Sequence, residues 1–232
     1  MMNEIHAFIF DLDGVIVDTA KYHYLAWRRL TQSLGFDLTL EQNERLKGVS
    51  RIASLDIILG IGGVNASAEE KTRYADQKNR WYVEYISRMS KGEILPNADF
   101  FIRWAKASGL RISLASASKN SMMILDALGI TPLFDAVIDG TKVTKAKPDP
   151  EVFLKAAEAL AVEPKHCVVF EDAEAGVAAA VAANMRCVGI GRPAQLLRAD
   201  MVIRGFACIL PETILAQFSQ LVLTQEETKE PA

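Results

Sequence analysis

Short apolar runs recur along the chain, each closed by turn-forming residues: Ala7 to Phe10, Arg111 to Ala115, Ala136 to Ile138, Cys167 to Phe170 and Cys187 to Ile190. They read as buried strands. Between the later runs lie stretches of helical character, Ser121 to Leu128, Glu151 to Ala161 and Glu174 to Ala183. Strands and helices alternating in this way predict βαβ units, and so a doubly wound, Rossmann-like α/β core whose parallel sheet carries helices on both faces. Gly109 and Gly129 stand where helix C-caps belong. The alanine-rich stretch from Ala173 to Ala183 has small side chains on every face, which predicts close packing onto the sheet.

One connection breaks the rhythm. A crossover needs roughly a dozen residues, yet Asp13 and Ile112 are separated by a far longer stretch. Asp18 to Leu34 reads as a helix with a possible Asp/Thr cap and with His23, Trp27, Leu30 and Leu34 at helical spacing. Asn43 to Lys47, Arg51 to Leu59 and Ala68 to Met89 continue the helical character, with a break expected at Gly60 to Gly63. The expected organisation is a core of residues 1–17 and 91–224, a helical cap domain of 18–90 inserted after the first strand, and a frayed polar tail at 225–232.

Composition narrows the possibilities. Lys and Arg number 26 against 29 Asp and Glu, a formal charge of −3. This gives no case for a general nucleic-acid or anionic-membrane surface, while leaving room for a few cations placed around a small phosphorylated ligand. Cys167, Cys187 and Cys208 have no CxxC spacing, so neither a zinc site nor a disulfide framework is expected. The opening apolar run is short and ends in carboxylates, unlike a signal peptide, and no run has the length of a membrane span. The expectation is a cytoplasmic monomer.

The chemistry sits where strands end, which is where open parallel sheets bind ligands. The first run ends in Asp11-Leu12-Asp13-Gly14: two carboxylates one residue apart, then a residue that permits a sharp turn. Buried carboxylates are costly unless paired, so such a pair usually binds a cation or does chemistry. The second run leads into Ser116-Ala117-Ser118, a hydroxyl with adjacent backbone N–H groups able to cradle phosphate oxygens. Past the third comes Lys147 in a proline-stiffened turn, and the fourth ends in Glu171-Asp172. Taken singly, Asp11 and Asp13 could form a capped turn, Ser116 a helix cap, Lys147 a surface charge, and Glu171-Asp172 a solvated loop. Together they supply a nucleophile, a hydroxyl clamp, a cation and oxygen ligands suited to Mg²⁺.

The pattern DxDGVxxDT over Asp11 to Thr19, followed in order by Ser116, Lys147 and Glu171-Asp172, resembles the haloacid dehalogenase superfamily over nearly the whole chain. The resemblance implies that Asp11 is a nucleophile forming an aspartyl phosphate and that Asp13 is the general acid and base. It implies one Mg²⁺ ion held by Asp11, the Asp13 carbonyl and Asp172, with Glu171 close by, and a transferring phosphoryl group bound by Ser116 and Lys147. Ala173 departs from the serine common there, which removes a hydroxyl near that site.

Within the superfamily, Leu46-Lys47-Gly48-Val49-Ser50-Arg51 resembles the specificity loop of the β-phosphoglucomutase family. Asp18 to His23 with Ala26-Trp27, Lys78-Asn79, and Ala115 to Asn120 also resemble that family. This implies interconversion of β-D-glucose 1-phosphate and glucose 6-phosphate, with β-glucose 1,6-bisphosphate as intermediate and activator. A mutase needs a second phosphate site, which the resemblance assigns to Arg51, Ser118, Lys119 and Asn120, Arg51 being able to grip phosphate through two N–H bonds. His23 and Lys78 would then help orient Asp13. Read without the resemblance, Trp27 belongs to the cap's core, His23 to a packed or surface position, and Lys47 and Arg51 to a basic stripe. The stretch from Gly60 to Ala68 departs from the family pattern. A sugar-phosphate phosphatase would carry the same core motifs, and a silent sugar-phosphate sensor is a third reading, opposed by the intact Asp11, Asp13, Lys147 and Asp172.

Overall fold

A computed structural model describes residues 5–46 and 51–218. The chain divides into two compact units, one of residues 1–18 and 90–232 and the other of 19–89. The tail expected to fray lies outside the described residues.

The larger unit is built on β1 (Ala7–Phe10), β2 (Arg111–Ala115), β3 (Ala136–Ile138), β4 (Cys167–Glu171), β5 (Arg186–Ile190) and β6 (Met201–Ile203). All neighbouring strands are parallel, in the order β3-β2-β1-β4-β5-β6. β1 is therefore central, and the winding direction reverses between it and β4. Every residue of β1 is buried because both faces are covered. Phe8 and Phe10 point to one side, where they meet Phe170, Phe206 and Phe101; Phe10 stacks on Phe170 with centroids 4.7 Å apart. Ala7 and Ile9 point to the other, packing with Val152, Phe153 and Ala156 of one helix and Val177 and Ala180 of another. Period-two alternation thus feeds two cores from one continuous apolar run.

Helices of the larger unit, numbered after four in the smaller unit, include α5 (Ala98–Ala107), α6 (Ser121–Leu128), α7 (Glu151–Leu160) and α8 (Glu174–Ala182). Of α5, with its buried Phe101 and Ile102, the sequence expectation holds only the closing glycine, Gly109, and the three-residue β6 is absent from it. β6 is too short for its composition to signal a strand, and its pairing to β5 defines it.

The smaller unit holds α1 (Ala20–Ser33), α2 (Leu40–Glu44), α3 (Arg51–Gly62) and α4 (Ala68–Ile86). Trp27, Leu30, Leu38, Leu55, Ile58 and Leu59 form its core. Two reciprocal capping boxes start helices: Thr39 with Gln42 on α2, and Ser67 with Glu70 on α4. Two expectations are corrected. α1 starts at Ala20, and its N-cap residue Thr19 makes no side-chain capping bond. α3 runs through Gly60 and ends at Gly62, followed by Gly63 at φ +63°. The helix continues because Leu55, Ile58 and Leu59 are buried on one face, and that packing outweighs the propensity cost of one glycine.

Candidate active site

Asp11 follows β1 directly, and its N–H donates to the Phe170 carbonyl at 3.0 Å, extending the ladder with β4 by one step. The register sets Phe10 level with Leu114 and Phe170, so Asp11, Ala115 and Glu171 emerge side by side at the carboxyl edge, at the reversal of the winding. Lys147 reaches into this row. Its Nζ donates to Asp11 Oδ1 at 2.6 Å, to Glu171 Oε1 at 2.5 Å and to the Ala115 carbonyl at 3.4 Å. The Lys147-Pro148 bond is cis. Burial would favour the neutral amine, but the two carboxylates more than offset it and hold Lys147 above the ordinary lysine range.

One ammonium does not neutralise all the acid gathered here. Burial raises Asp11 well above the usual carboxylate range, Lys147 opposes that rise, and Glu171 and Asp13 add to it. Burial, Glu171 and Asp13 raise Asp172 to about 7. Gly14, at φ +76°, gives the Asp172 carboxylate room, since a Cβ there would overlap it. The Asp13 loop is closed by Gly14 N–H donating to the Val17 carbonyl at 2.8 Å. Such a surplus of buried carboxylate, all oxygen donors, fits a hard divalent cation. Side chains alone do not enclose one: among the described residues no three His, Cys, Asp or Glu side chains converge. Glu171 is turned to Lys147 and to the Ala173 N–H, 2.8 Å from Oε2.

The second loop is tightly organised. Ser116 N–H donates to Ile138, and Ser116 Oγ accepts from Ser118 N–H at 3.1 Å. Ser118 Oγ accepts from Asn120 N–H at 3.2 Å, and the Ser118 carbonyl accepts from Ser121 Oγ and Gly140 N–H. Ser116 is thus a loop clamp; the N-cap of α6 is Asn120. Ala117, Lys119, Gly140, Lys145 and Lys147 line a cavity of about 250 Å³. Gly140 was not singled out from sequence: a Cβ there would overlap the Ala117 carbonyl, a contact between segments far apart in the chain.

The helical unit holds its own polar group. Lys78 is 2% exposed. Its Nζ lies 2.8 Å from His23 Nδ1, over Trp27 at 4.6 Å and over Tyr82 at 4.9 Å, and His23 stacks on Tyr82. Burial, then Arg51, lowers Lys78 to about 7. Burial, then Lys78 and Arg51, lowers His23 to about 3, so the imidazole is neutral and its Nδ1 is free to accept from the ammonium. Trp27 serves both the unit's core and this cation. Tyr82 was missed from sequence, although its position four residues after Lys78 on α4 puts both on one helical face. Arg51 opens α3. Lys47, Gly48, Val49 and Ser50 lie outside the described residues.

A family model for haloacid dehalogenase-like hydrolases matches residues 5–184. The chain belongs to that family. It is 41% identical to a β-phosphoglucomutase of Bacillus subtilis over 216 residues, covering 92% of this chain and 96% of that one. It is 30% identical to a phosphorylated carbohydrates phosphatase of Thermotoga maritima, covering 91% and 97%. A solved β-phosphoglucomutase from Clostridium difficile superimposes with a TM-score of 0.85 at 42% identity, covering 94% of this chain and 99% of that chain.

Proposed function

We infer that the chain is a phosphoryl-transfer enzyme acting on sugar phosphates, a β-phosphoglucomutase that interconverts β-D-glucose 1-phosphate and glucose 6-phosphate. The observation that carries the reading is the buried Lys147 ammonium fixed between Asp11 and Glu171 at the reversal point of the sheet. Phosphoryl transfer asks chiefly for alignment and charge neutralisation, and this row offers both. The likeness to β-phosphoglucomutases from two organisms narrows the substrate.

In this reading an Asp11 carboxylate oxygen attacks phosphorus and the bond to the sugar oxygen breaks, leaving an aspartyl phosphate. Asp13 protonates the departing oxygen and, in the reverse half, takes the proton from the attacking hydroxyl. Ser116, the Ala117 loop and Lys147 hold the group in transit. Ser118, Lys119 and Asn120 belong to the grip on the phosphate that stays on the sugar, and Arg51 is assigned to the same ligand. His23 and Lys78 are assigned to orienting Asp13, and Trp27, in the core of the helical unit, packs against Lys78. Mg²⁺, one ion, fits Asp11, the Asp13 carbonyl and Asp172 with Glu171 nearby, and would supply further charge neutralisation there. β-Glucose 1,6-bisphosphate is the intermediate that returns the group to Asp11.

The Thermotoga phosphatase, similar along nine-tenths of this chain, supports a second reading as a sugar-phosphate phosphatase. ³¹P NMR of the protein with Mg²⁺, β-glucose 1-phosphate and a trace of the bisphosphate separates the two. Glucose 6-phosphate with little inorganic phosphate is expected; mainly inorganic phosphate would overturn the mutase in favour of hydrolysis. No change would sink both for this sugar and favour a silent sensor.

A further inference from the structure

α8 begins Glu174-Ala175-Gly176, and Gly176 is buried. Glycine weakens a helix relative to alanine, and the rest of α8 beyond Glu174 is alanine and valine. A glycine here departs from local preference, as functional positions often do. The need is for space: a Cβ on Gly176 would fall on the Glu171 carboxylate, and its three nearest atoms would all belong to that group. The carboxylate therefore lies directly against the first turn of α8. From this seat Oε2 accepts the Ala173 N–H at 2.8 Å and Oε1 accepts from Lys147 at 2.5 Å. Lys147 is in turn 2.6 Å from Asp11. A side chain at 176 would displace Glu171 and leave Lys147 with one carboxylate in place of two.

We propose that Gly176 is a positioning residue for phosphoryl transfer, seating the Glu171 carboxylate so that it fixes Lys147 against Asp11. This rests on the phosphoryl-transfer reading above. Close packing of α8 on the sheet would also favour a small residue, but the colliding atoms belong to Glu171, so the two roles separate by coupling.

The test is a cycle of Gly176→Ala, Glu171→Ala and the double variant in the full chain. Each is followed by melting temperature, by kcat and KM for the sugar phosphate, and by inhibition with orthovanadate as mimic of the transferring group. Gly176→Ala is expected to lower kcat about tenfold or more and weaken vanadate similarly, with KM moving less than about threefold. In the Glu171→Ala background the same change is expected to alter neither vanadate inhibition nor kcat, and to leave the melting temperature no lower, because its methyl fills vacated space. Wild-type kcat in Gly176→Ala, or an equal loss of vanadate inhibition in both backgrounds, would overturn the proposal. Should Gly176→Ala fail to fold, a folded double variant upholds the seat and an unfolded one refutes it. A wild-type chain without phosphoryl transfer would sink the functional reading, while the melting cycle still reports the seat.

Discussion

At the residue scale, the site is a shortage of positive charge. Lys147 serves Asp11 and Glu171 at once, and Asp172 sits beside them at about 7. Asp11→Asn removes the nucleophile while keeping the shape, so turnover should fall by more than ~10³-fold; steady-state assays retaining near-normal rates would refute the covalent mechanism. Lys78 is a buried cation of another kind, facing His23, Trp27 and Tyr82. Its pKa is lowered to about 7 from an ordinary 10.5, so between those values the unfolded chain binds the extra proton and stability rises with pH. Below about 7 both states are charged and the burial cost stands in full. Urea titrations at pH 7 and pH 10 should therefore show wild type gaining on Lys78→Met by up to a few kcal/mol as pH rises. Parallel trends would contradict a buried, near-neutral lysine.

At the element scale, what was legible in the sequence follows from how local each cause is. β1 is read from four residues because both its faces are buried, and Asp11 and Asp13 are read because they follow it immediately. α5, beyond its closing glycine, and β6 were not read: one is defined by Phe101 joining the aromatic cluster, the other by three rungs on β5. The Gly60 break was misread because a tertiary face decides it. Gly140 and Gly176 answer to atoms of other segments, which no local pattern shows. Tyr82 had a local signal in its spacing from Lys78. Helix starts are local again. Ser67 accepts from Glu70 N–H while the Glu70 side chain accepts from Ser67 N–H, so Ser67→Ala should cost about 1 kcal/mol, read as a lower denaturation midpoint with an unchanged m-value. No loss would mean that the box on α4 is replaced by water.

At the scale of the whole molecule, two units with separate cores share one chain that crosses between them near Asp18 and Ser90. No helix among the described residues is long and apolar enough to cross a membrane. The acid surplus in the larger unit predicts linkage with cation. Mg²⁺ at about 100 times its Kd should add about 2.7 kcal/mol and raise Tm by several degrees, and Asp172→Ala should lose most of that gain. An equal shift in both proteins, by calorimetry, would place the ion elsewhere.

The central position of β1 also has a consequence during synthesis. Its four apolar residues are made well before its ladder partners, which begin at Arg111 and Cys167. At ~5–20 residues per second a ribosome delivers the first of these partners roughly five to twenty seconds after the first strand. For that interval Ala7 to Phe10 is an unpaired β-forming segment, while the helices of 20–86 can already find one another nearby in sequence. The nascent chain should therefore acquire protease resistance in its helical segment first. The row of Asp11, Lys147 and Glu171 can close only after β4 has left the exit tunnel.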